Sequence, residues 1–597
     1  MSKKQSIKKT FNNTRYMLNL IWKTKKGKSL IIVKIINSFI NSIFPIVLAV
    51  FPGLIINELT GNKNVETIAL YVGILVLSPF VKQIYSYIIG KQIQKLSLSV
   101  SLQMEIDFFN HVARMDYESV ENPDIQILSD RAQDTMNQSL NVLNQFCSLL
   151  LSIFSLSFIS TIVVSLNYFL IGLILIIILL NSMIKKKSNN KKFEISKKLS
   201  EYDRYQGAYV YMLEHSSYAK EKRLFDCNDF LVNMYRRSKD ESNKTEVKFS
   251  SEQNKPFLFN SFTNFIQMLI VYVYLIYLVI EKNMLIGTMT IYLTTVSQFS
   301  SYFNNVFNSY LNLSSISLNI QELRKFLNIP NKQEESGKDI PITNENSIIE
   351  FKNVSFKYPG SKIYALQNLN LKFKFSEKLC IVGANGSGKT TFIKLLTRLY
   401  FPSEGEILLD GVNINTFDYK SYQKLFSPVF QDFVTYYITL EKNITLEDNG
   451  DMNCLNDTIE KSGLTTLVNK LPKEAETQVG KWLDEEGFKP SGGEEQKIAI
   501  ARALYHEREV YILDEPTAAL DPDAEYEIYT QFGAMIKGKP AILITHRLSA
   551  VQLADKVAVF DSGKVIEYGT HKELCAVNGK YKEMYEKQSK FYVKYDN

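Results

Sequence analysis

Long, mainly apolar stretches are concentrated in the first half of the chain. The longest, 147–184, carries no charged residue. As a single helix it would be about 57 Å long, nearly twice the ~30 Å hydrocarbon core of a bilayer. We therefore expect two membrane spans joined by a tight turn near Asn167. Four further apolar stretches raise the predicted number of spans to six, namely 29–57, 67–90, 257–280 and 285–312.

The polar segments between these stretches alternate in length. Segments 91–140 and 185–255 are long and charged, and we expect each to form two helical arms in the cytosol. The connections 58–66 and 281–284 are short and hold one lysine each, whereas lysines crowd the first 28 residues and the segment after Ile184. The positive-inside rule then predicts cytosolic termini. The first apolar stretch is not followed by a small-residue cleavage site, so we expect no cleavable signal. It begins near residue 29, so we expect no peptidase domain ahead of it.

Small polar residues recur at helical spacing inside two of the predicted spans. They either join helices within lipid or line a water-accessible cavity. The interiors of the spans hold no acidic residue, which argues against a transporter driven by protons or ions. The residues in question are Asn37, Ser38, Asn41 and Ser42 on the first span, and Thr290, Thr294, Ser297, Ser301, Asn304 and Asn308 on the last.

Composition adds two exclusions. The net charge of +7 is explained by lysines beside the predicted spans, so no nucleic-acid partner is expected. The five cysteines are scattered, without a CxxC pair or metal-ligand spacing, which argues against a disulfide framework and a structural zinc site. The length of 597 residues exceeds that of one ordinary domain.

A phosphate-binding loop is predicted in the second half, after a polar linker at 328–347. The sequence LCIVGANGSGKTTFIKLL gives an apolar strand, a glycine-rich loop and an amphipathic helix. Its glycines let backbone N–H groups turn toward phosphates, the lysine reaches the terminal phosphates and the first threonine supplies a hydroxyl to Mg²⁺. The predicted nucleotide-binding residues of this loop are Gly383, Asn385, Gly386, Ser387, Gly388, Lys389, Thr390 and Thr391.

Two acidic residues end a second buried strand, VYILDEPTAALD. Asp514 is predicted to hold Mg²⁺ through water. Glu515 follows it and points the other way on an extended chain, where it can polarise the attacking water. Together with the phosphate loop, these residues predict a nucleoside triphosphate hydrolase.

The motifs GANGSGKTT, PSGGE at a helix start, ILDEPTAALD and a histidine after a strand in AILITHRLS resemble the nucleotide-binding domain of ATP-binding cassette (ABC) transporters. The resemblance implies ATP and Mg²⁺ as cofactors. It also implies that Ser491, Gly492 and Gly493 face the terminal phosphate of ATP bound to the opposite subunit, so that two ATP molecules are sandwiched in a head-to-tail dimer. A helix N-terminus suits that contact.

The same resemblance assigns further roles. Tyr358 matches the aromatic residue that stacks on adenine, and Gln431 matches the glutamine that contacts Mg²⁺ and the attacking water. His546 matches the histidine that holds the terminal phosphate, and Asp521 faces the other subunit. Because Glu515 is also present, the site looks complete, which favours a homodimer; a heterodimer stays open.

The implied architecture is that of an exporter half-transporter. An α-helical polytopic membrane domain with six transmembrane helices and long cytosolic arms is expected over 1–327. An α/β P-loop NTPase domain with an ABC helical subdomain is expected over 348–597. Alternating access is expected, with arm segments near 115–130 and 212–224 carrying the motion to the cavity.

Departures from the family pattern occur around the PSGGE turn. Pro490 and Glu494 replace the usual leucine and glutamine, so a carboxylate is expected near the sandwiched phosphates. At an assumed ~8 Å and an effective dielectric constant of ~20, the repulsion would be about 2 kcal/mol. Lys481 replaces a common glutamate, and 482–486 resemble a short insertion.

The cassette motifs look most like those of exporters of lantibiotics and other small peptides from Gram-positive bacteria, which implies a multi-pass protein of the cytoplasmic membrane. Three alternatives are open. A lipid flippase would use basic residues near the cavity mouth, such as Lys34 and Lys82. A soluble ABC ATPase acting on ribosomes or DNA requires that the apolar stretches do not insert. A drug exporter would use aromatic residues of the last span, such as Phe299, Tyr302, Phe303 and Phe307.

Overall fold

The computed structural model describes residues 3–164, 168–331, 337–339, 344, 346–514, 530, 532–545 and 551–593. It divides into two compact units. The first, a membrane unit, comprises Met1–Ala113 and Ile127–Asn328, and the second, a cassette unit, comprises Arg114–Gln126 and Ile329–Asn597. A short part of the first predicted arm is thus grouped with the cassette.

The described part of the first half consists of helices joined by short turns. Its helices are α1 (Lys3–Lys23), α2 (Gly27–Asn41), α3 (Phe44–Thr60), α4 (Val65–Ala113), α5 (Tyr117–Glu121), α6 (Pro123–Asn137), α7 (Ser139–Val164), α8 (Tyr168–Glu214), α9 (Ala219–Leu224), α10 (Asn228–Lys282) and α11 (Ile286–Leu327). Helix α5 and the start of α6 belong to the cassette unit.

Four stretches among the described residues are long and apolar enough to cross a membrane, namely Gly27–Thr60, Val65–Ala113, Ser139–Val164 and Asn228–Lys282. The other two predicted spans fall on α8 and α11. The apolar stretch 147–184 is divided between α7, which ends at Val164, and α8, which begins at Tyr168. Asn167, where we expect the turn, lies outside the described residues. Large apolar side chains such as Val76, Leu77 and Phe80 are exposed, as a lipid-facing surface requires.

Small residues allow α3 and α11 to pack closely. A Cβ atom added to Gly53 would lie 2.3 Å from the Gly287 carbonyl oxygen, and one added to Gly287 would lie 2.0 Å from the Gly53 carbonyl oxygen. Nearby, the Thr294 hydroxyl donates to the Ala49 carbonyl at 3.0 Å. Between α10 and α11, the Gln267 amide donates to the Ser300 hydroxyl at 2.6 Å. Close backbone contact and interhelical hydrogen bonds replace the hydrophobic driving force that lipid does not provide.

The described part of the cassette unit contains two sheets. The antiparallel sheet has the order β2-β1-β4-β5 and the larger sheet has the order β10-β9-β3-β8-β7-β6. The strands are β1 (Ile348–Phe356), β2 (Leu366–Lys374), β3 (Lys378–Gly383), β4 (Glu404–Leu409), β5 (Val412–Asn413), β6 (Phe426–Val429), β7 (Val510–Asp514), β8 (Ala541–Ile544), β9 (Lys556–Asp561) and β10 (Lys564–Gly569).

Strands β9, β3, β8, β7 and β6 run parallel, and β10 closes the sheet in antiparallel pairing. The parallel strands are apolar on both faces because both faces are covered. On β7, for example, Val510 and Ile512 join one buried cluster, whereas Tyr511 and Leu513 join another.

The described helices of the cassette that follow β3 are α12 (Lys389–Leu396), α13 (Tyr419–Gln423), α14 (Leu440–Thr445), α15 (Met452–Lys461), α16 (Thr465–Val468), α17 (Gly492–Tyr505), α18 (His571–Ala576) and α19 (Lys580–Val593). Helices α14 to α17 share a separate apolar cluster that includes Leu440, Leu455, Val468 and Ile498. This helical layer carries the PSGGE turn at the start of α17.

Candidate active site

The predicted phosphate-binding loop and two of the predicted Mg²⁺ ligands lie at the carboxyl ends of parallel strands of one sheet. The phosphate loop follows β3, Asp514 is the last residue of β7, and Gln431 lies two residues after β6. Strand β8 lies between β3 and β7 in the sheet. Because all four strands are parallel, these ends lie along one edge of the sheet, where ligands of open α/β sheets bind.

The phosphate loop has a backbone that requires glycine. Gly386 and Gly388 have φ values of +77° and +104°. A Cβ atom on Gly388 would lie 2.5 Å from the Leu366 side chain and 2.9 Å from the Ala365 carbonyl oxygen. Helix α12 begins immediately afterwards, so its first N–H groups have no partner within the helix and point toward the loop. The described backbone is therefore suited to an anion.

Two buried polar side chains in the loop fit a phosphate ligand. The Lys389 ammonium group donates to the carbonyl oxygens of Gly383 at 3.0 Å and Ala384 at 3.2 Å. The Ser387 hydroxyl is buried, and it has no hydrogen-bond partner among the residues that the structure describes. A buried hydroxyl without a partner is costly, and a phosphate oxygen would satisfy it.

The oxygen atoms proposed for Mg²⁺ are a hydroxyl, an amide and a carboxylate. Thr390 and Gln431 are exposed, and Asp514 is buried at the end of β7. Within the described residues, no three histidine, cysteine or acidic side chains cluster as metal ligands. A set of few protein oxygens, completed by substrate phosphates and water, is the kind that Mg²⁺ prefers.

Tyr358 lies beside the phosphate loop, where its hydroxyl and that of Thr391 are 3.0 Å apart. Its ring packs edge to face against Phe356 and Tyr400 at centroid distances of 5.0 and 5.4 Å. The structure therefore brings the predicted adenine-stacking residue within hydrogen-bond distance of the predicted phosphate-binding helix.

Sequence reasoning missed a lysine enclosed by aromatic rings next to Tyr358. The Lys394 ammonium group lies 5.4 Å from the ring centroid of Tyr117, 5.7 Å from that of Tyr358 and 5.6 Å from that of Tyr400. It also lies 3.3 Å from the Glu121 carboxylate. These five residues, which we call the tyrosine cage, connect the candidate adenine site to helix α5.

Glu121 is the acceptor at the centre of the tyrosine cage. It accepts hydrogen bonds from the hydroxyls of Tyr117, at 2.5 Å, and Tyr400. Burial raises the pKa of Glu121, but the hydrogen bonds from both tyrosines and the charge of Lys394 outweigh burial and leave this pKa below its usual value. Burial and the bond to Glu121 raise the pKa of Tyr400. The signal available in the sequence was weak, namely aromatic residues in the arm and in LTRLYFP.

The PSGGE turn forms a complete capping box at the start of α17. The Ser491 hydroxyl accepts from the Glu494 N–H, and the Glu494 carboxylate accepts from the Ser491 N–H at 2.7 Å and from its hydroxyl at 2.9 Å. Ser491 and Gly492 are exposed. The extra carboxylate that we expect near the phosphates thus has a structural role as a helix cap. Glu515, Asp521 and His546 lie outside the described residues.

The segment after Gln431 is tied to α17 by an arginine. The Arg502 guanidinium donates to the carbonyl oxygens of Val434 at 3.2 Å and Asn443 at 2.9 Å. Burial lowers the pKa of Arg502 from its ordinary high value. The segment that carries Gln431 is therefore attached to the helix that carries the PSGGE turn.

The polar and aromatic residues singled out on the last span differ in burial and in their contacts. Thr294 bonds to α3, whereas Ser297 and Ser301 are exposed. The aromatic side chains Phe299, Tyr302, Phe303 and Phe307 belong to, or pack against, one apolar cluster with residues of α7 and α10. Those rings therefore have packing partners inside the membrane unit.

Comparison with known proteins agrees with the geometry. A family model described as ABC transporter matches residues 366–518. The subtilin transport ATP-binding protein SpaT of Bacillus subtilis is 30% identical over 94% of this chain and 92% of its own length. The chain belongs to the ABC transporter family.

Other relatives refine this assignment. The nisin transport ATP-binding protein NisT of Lactococcus lactis subsp. lactis is 29% identical over 88% of each chain. An ATP-dependent lipid A-core flippase of Paraburkholderia xenovorans is 34% identical, but over 43% of this chain and 42% of its own.

A solved bacterial Atm1-family ABC exporter with ATP bound has the same fold, with a TM-score of 0.78 at 20% identity over 93% of this chain and 99% of that one. Family membership, the two transport relatives that match along most of the chain and this shared fold together identify an exporter-type half-transporter. Its ATPase is coupled to transport, and its helical domain is a membrane domain.

Proposed function

We propose that this ABC transporter exports a small peptide of the bacteriocin or lantibiotic class across the cytoplasmic membrane. The observation that carries the proposal is the extent of similarity. The two relatives named for subtilin and nisin transport match along 94% and 88% of the chain, whereas the flippase matches along 43%. Lipid export is the second candidate, because flippases share the cassette chemistry.

The proposed division runs at 327 and 348, with a membrane domain, a linker and a cassette. Lys389 and the loop N–H groups hold the phosphates, and Thr390, Gln431 and Asp514 hold Mg²⁺. When bound, Mg-ATP supplies the phosphoanhydride bond whose hydrolysis drives transport. Glu515 takes a proton from the attacking water, and His546 holds the terminal phosphate.

Function as a homodimer is supported by surfaces that are uncovered in the single chain. At the tip of the second arm, Leu224 and Phe225 are 83% and 77% exposed, next to the basic Arg223. In the cassette, Tyr437 and Trp482 are 63% and 71% exposed. They stand beside a cavity of about 700 Å³ whose lining includes the acidic residues Asp484, Glu485 and Glu486.

Apolar and oppositely charged surfaces of this kind are complementary. We propose that a second copy of the chain covers them and also places its Ser491 turn against the phosphates of its partner. The lysine-rich segments beside the spans support a cytosolic position for the cassettes and both termini.

The test is ATP hydrolysis by the purified chain in lipid nanodiscs, with Glu515→Gln as the inactive reference and mass photometry to count chains. We expect basal turnover from a two-chain particle and stimulation by nisin or subtilin. Stimulation by phospholipid and by neither peptide would contradict the peptide proposal. Turnover in Glu515→Gln close to that of the wild-type chain would contradict its role as the base.

A further inference from the structure

Helix α1 carries positive charge and exposed apolar side chains on adjoining faces. It contains six basic residues and no acidic residue. Ile7, Phe11 and Trp22 are exposed, and at about 100° per residue they fall within ~60° of one another around the helix. On the same helical wheel Lys8 lies about 40° beyond Trp22, whereas Lys9 lies on the side of the helix opposite Ile7 and Phe11. Because α1 directly precedes the first span, its apolar face suits the interfacial layer of a membrane.

A cavity lies where α1 meets the end of α11. Its volume is about 540 Å³, which is in the usual range for ligand sites. It is lined by four cationic and four amide side chains, and by no acidic one: Lys8, Lys9, Asn12, Asn13, Gln321, Arg324, Lys325 and Asn328. Every lining side chain can donate a hydrogen bond, as an anionic ligand requires.

Two contacts fix the walls of this cavity. The Asn13 amide donates to the Ser317 carbonyl oxygen and hydroxyl, both at 2.9 Å, which joins α1 to α11. The Arg324 guanidinium lies 5.3 Å from the ring centroid of Tyr16. The walls are therefore held by contacts that do not use the ammonium groups of Lys8, Lys9 and Lys325.

The positive charge of the cavity is not neutralised within the part of the chain that the structure describes. None of its four cations forms an ion pair there. The nearest acidic residue in sequence, Glu322, is paired with Arg131 at 3.2 Å. Four cations gathered without a counter-charge repel one another, and an anion between them would relieve that repulsion.

We propose that this cavity binds the anionic headgroup of a phospholipid from the cytosolic leaflet. The cations and amides of α1 and α11 hold the phosphate, while the face with Ile7 and Phe11, which adjoins Lys8, lies against the acyl chains. Basic pockets between transmembrane helices on the cytosolic side are suited to such headgroups. A lipid fits the surface better than a free anion because it would cover the apolar face as well.

The test compares the full-length chain in nanodiscs of phosphatidylcholine alone and of phosphatidylcholine with phosphatidylglycerol. Bound phosphatidylglycerol is counted by native mass spectrometry after transfer to detergent, and the unfolding midpoint is recorded in each disc. The cavity variant is Arg324→Gln with Lys325→Gln. The control variant, Lys23→Gln with Lys25→Gln, removes the same charge from exposed positions of the same basic region.

We expect the cavity variant to bind phosphatidylglycerol roughly tenfold more weakly or worse, since two cations are lost, and the control to bind like the wild-type chain. Lys8→Gln with Lys9→Gln should reproduce the loss from the other wall. Equal retention by wild-type and cavity variants would overturn the proposal. So would an equal rise in midpoint on adding inorganic phosphate to discs of phosphatidylcholine alone, because the ligand would then be a soluble anion. ATP hydrolysis in the same discs tests the export proposal separately.

Discussion

Two helices of the cassette begin in glycine-rich turns, and their first turns are satisfied in different ways. Helix α12 begins after Gly388, a left-handed residue without a side chain that could cap the helix. Helix α17 begins after Ser491, whose hydroxyl and N–H are both engaged by Glu494 in a capping box. The first turn of α12 is therefore free to bind an anion. The first turn of α17 must give up its contacts with Glu494 before it can bind a phosphate.

The difference matches the roles proposed for the two turns. A turn that holds ATP in its own subunit can be preformed. A turn that closes over ATP of a partner gains from an internal cap in the open state, because exposed N–H groups are then satisfied. Breaking the cap formed by Glu494 costs free energy when the turn closes over ATP. Binding of the phosphate at the helix N-terminus offsets part of that cost.

The largest expected effect comes from removing the lysine of the preformed turn. Lys389→Met should lower ATP hydrolysis by about 10²-fold or more, because the ammonium group stabilises phosphate charge in a buried place. Phosphate release in nanodiscs measures the effect. Lys372→Met, an exposed lysine of β2, is the control. If Lys389→Met hydrolysed ATP as fast as the control, the proposed role of Lys389 in phosphate binding would be wrong.

Replacing one glycine of each turn by alanine should give the next largest difference, in the stability of the cassette. Gly388→Ala should cost about 1–3 kcal/mol through its positive φ, with a further cost from the contact with Leu366. Gly492→Ala should change stability by less than about 0.5 kcal/mol, because its Cβ atom meets nothing within 4 Å.

The unfolding midpoint of the cassette transition is the measurement for both glycine variants. We expect the midpoint to fall by several degrees in Gly388→Ala and to stay near the wild-type value in Gly492→Ala. Equal shifts in the two variants would show that the backbones of the turns do not differ as described.

Neutralising the internal cap should make the second turn more like the first. Glu494→Gln keeps an acceptor for the Ser491 N–H but removes the negative charge. We expect the ATP concentration for half-maximal hydrolysis to fall by up to roughly tenfold, because repulsion of about 1–2 kcal/mol is relieved. Glu495→Gln, in the same helical turn, is the control. A higher ATP requirement in Glu494→Gln would mean that the cap assists closure.

The smallest expected effect concerns the tyrosine cage behind the preformed turn. Because the pKa of Glu121 is lowered in the folded protein, its contribution to stability is present above the unfolded pKa and is lost as pH falls through the folded pKa. For a half-exposed carboxylate the contribution should be below about 1 kcal/mol. Unfolding midpoints between about pH 5 and pH 3 should therefore fall less in Glu121→Gln than in the wild-type chain. Asp124→Asn is the exposed control, and parallel curves for all three chains would contradict this role.

The sequence alone predicted the features that depend on local chemistry. A bilayer sets the length of an apolar helix, so the stretches that became α2 with α3, α4, α7 and α10 were readable as spans. Phosphate binding requires glycines, a lysine and a hydroxyl at fixed spacing, so the loop around Lys389 was readable as well. The strand before it and the helix after it followed from their periodicity.

Only the tertiary structure decided which distant residues meet. Lys394 pairs with Glu121 although 273 positions separate them, and Asn13 binds Ser317 across 304 positions. The close approach of Gly53 to Gly287 is likewise a contact between helices. Even the cap formed by Glu494, three residues from Ser491, depended on a side-chain conformation. Spacing along the chain constrains local conformation, but such contacts arise from packing, which many sequences satisfy in different ways.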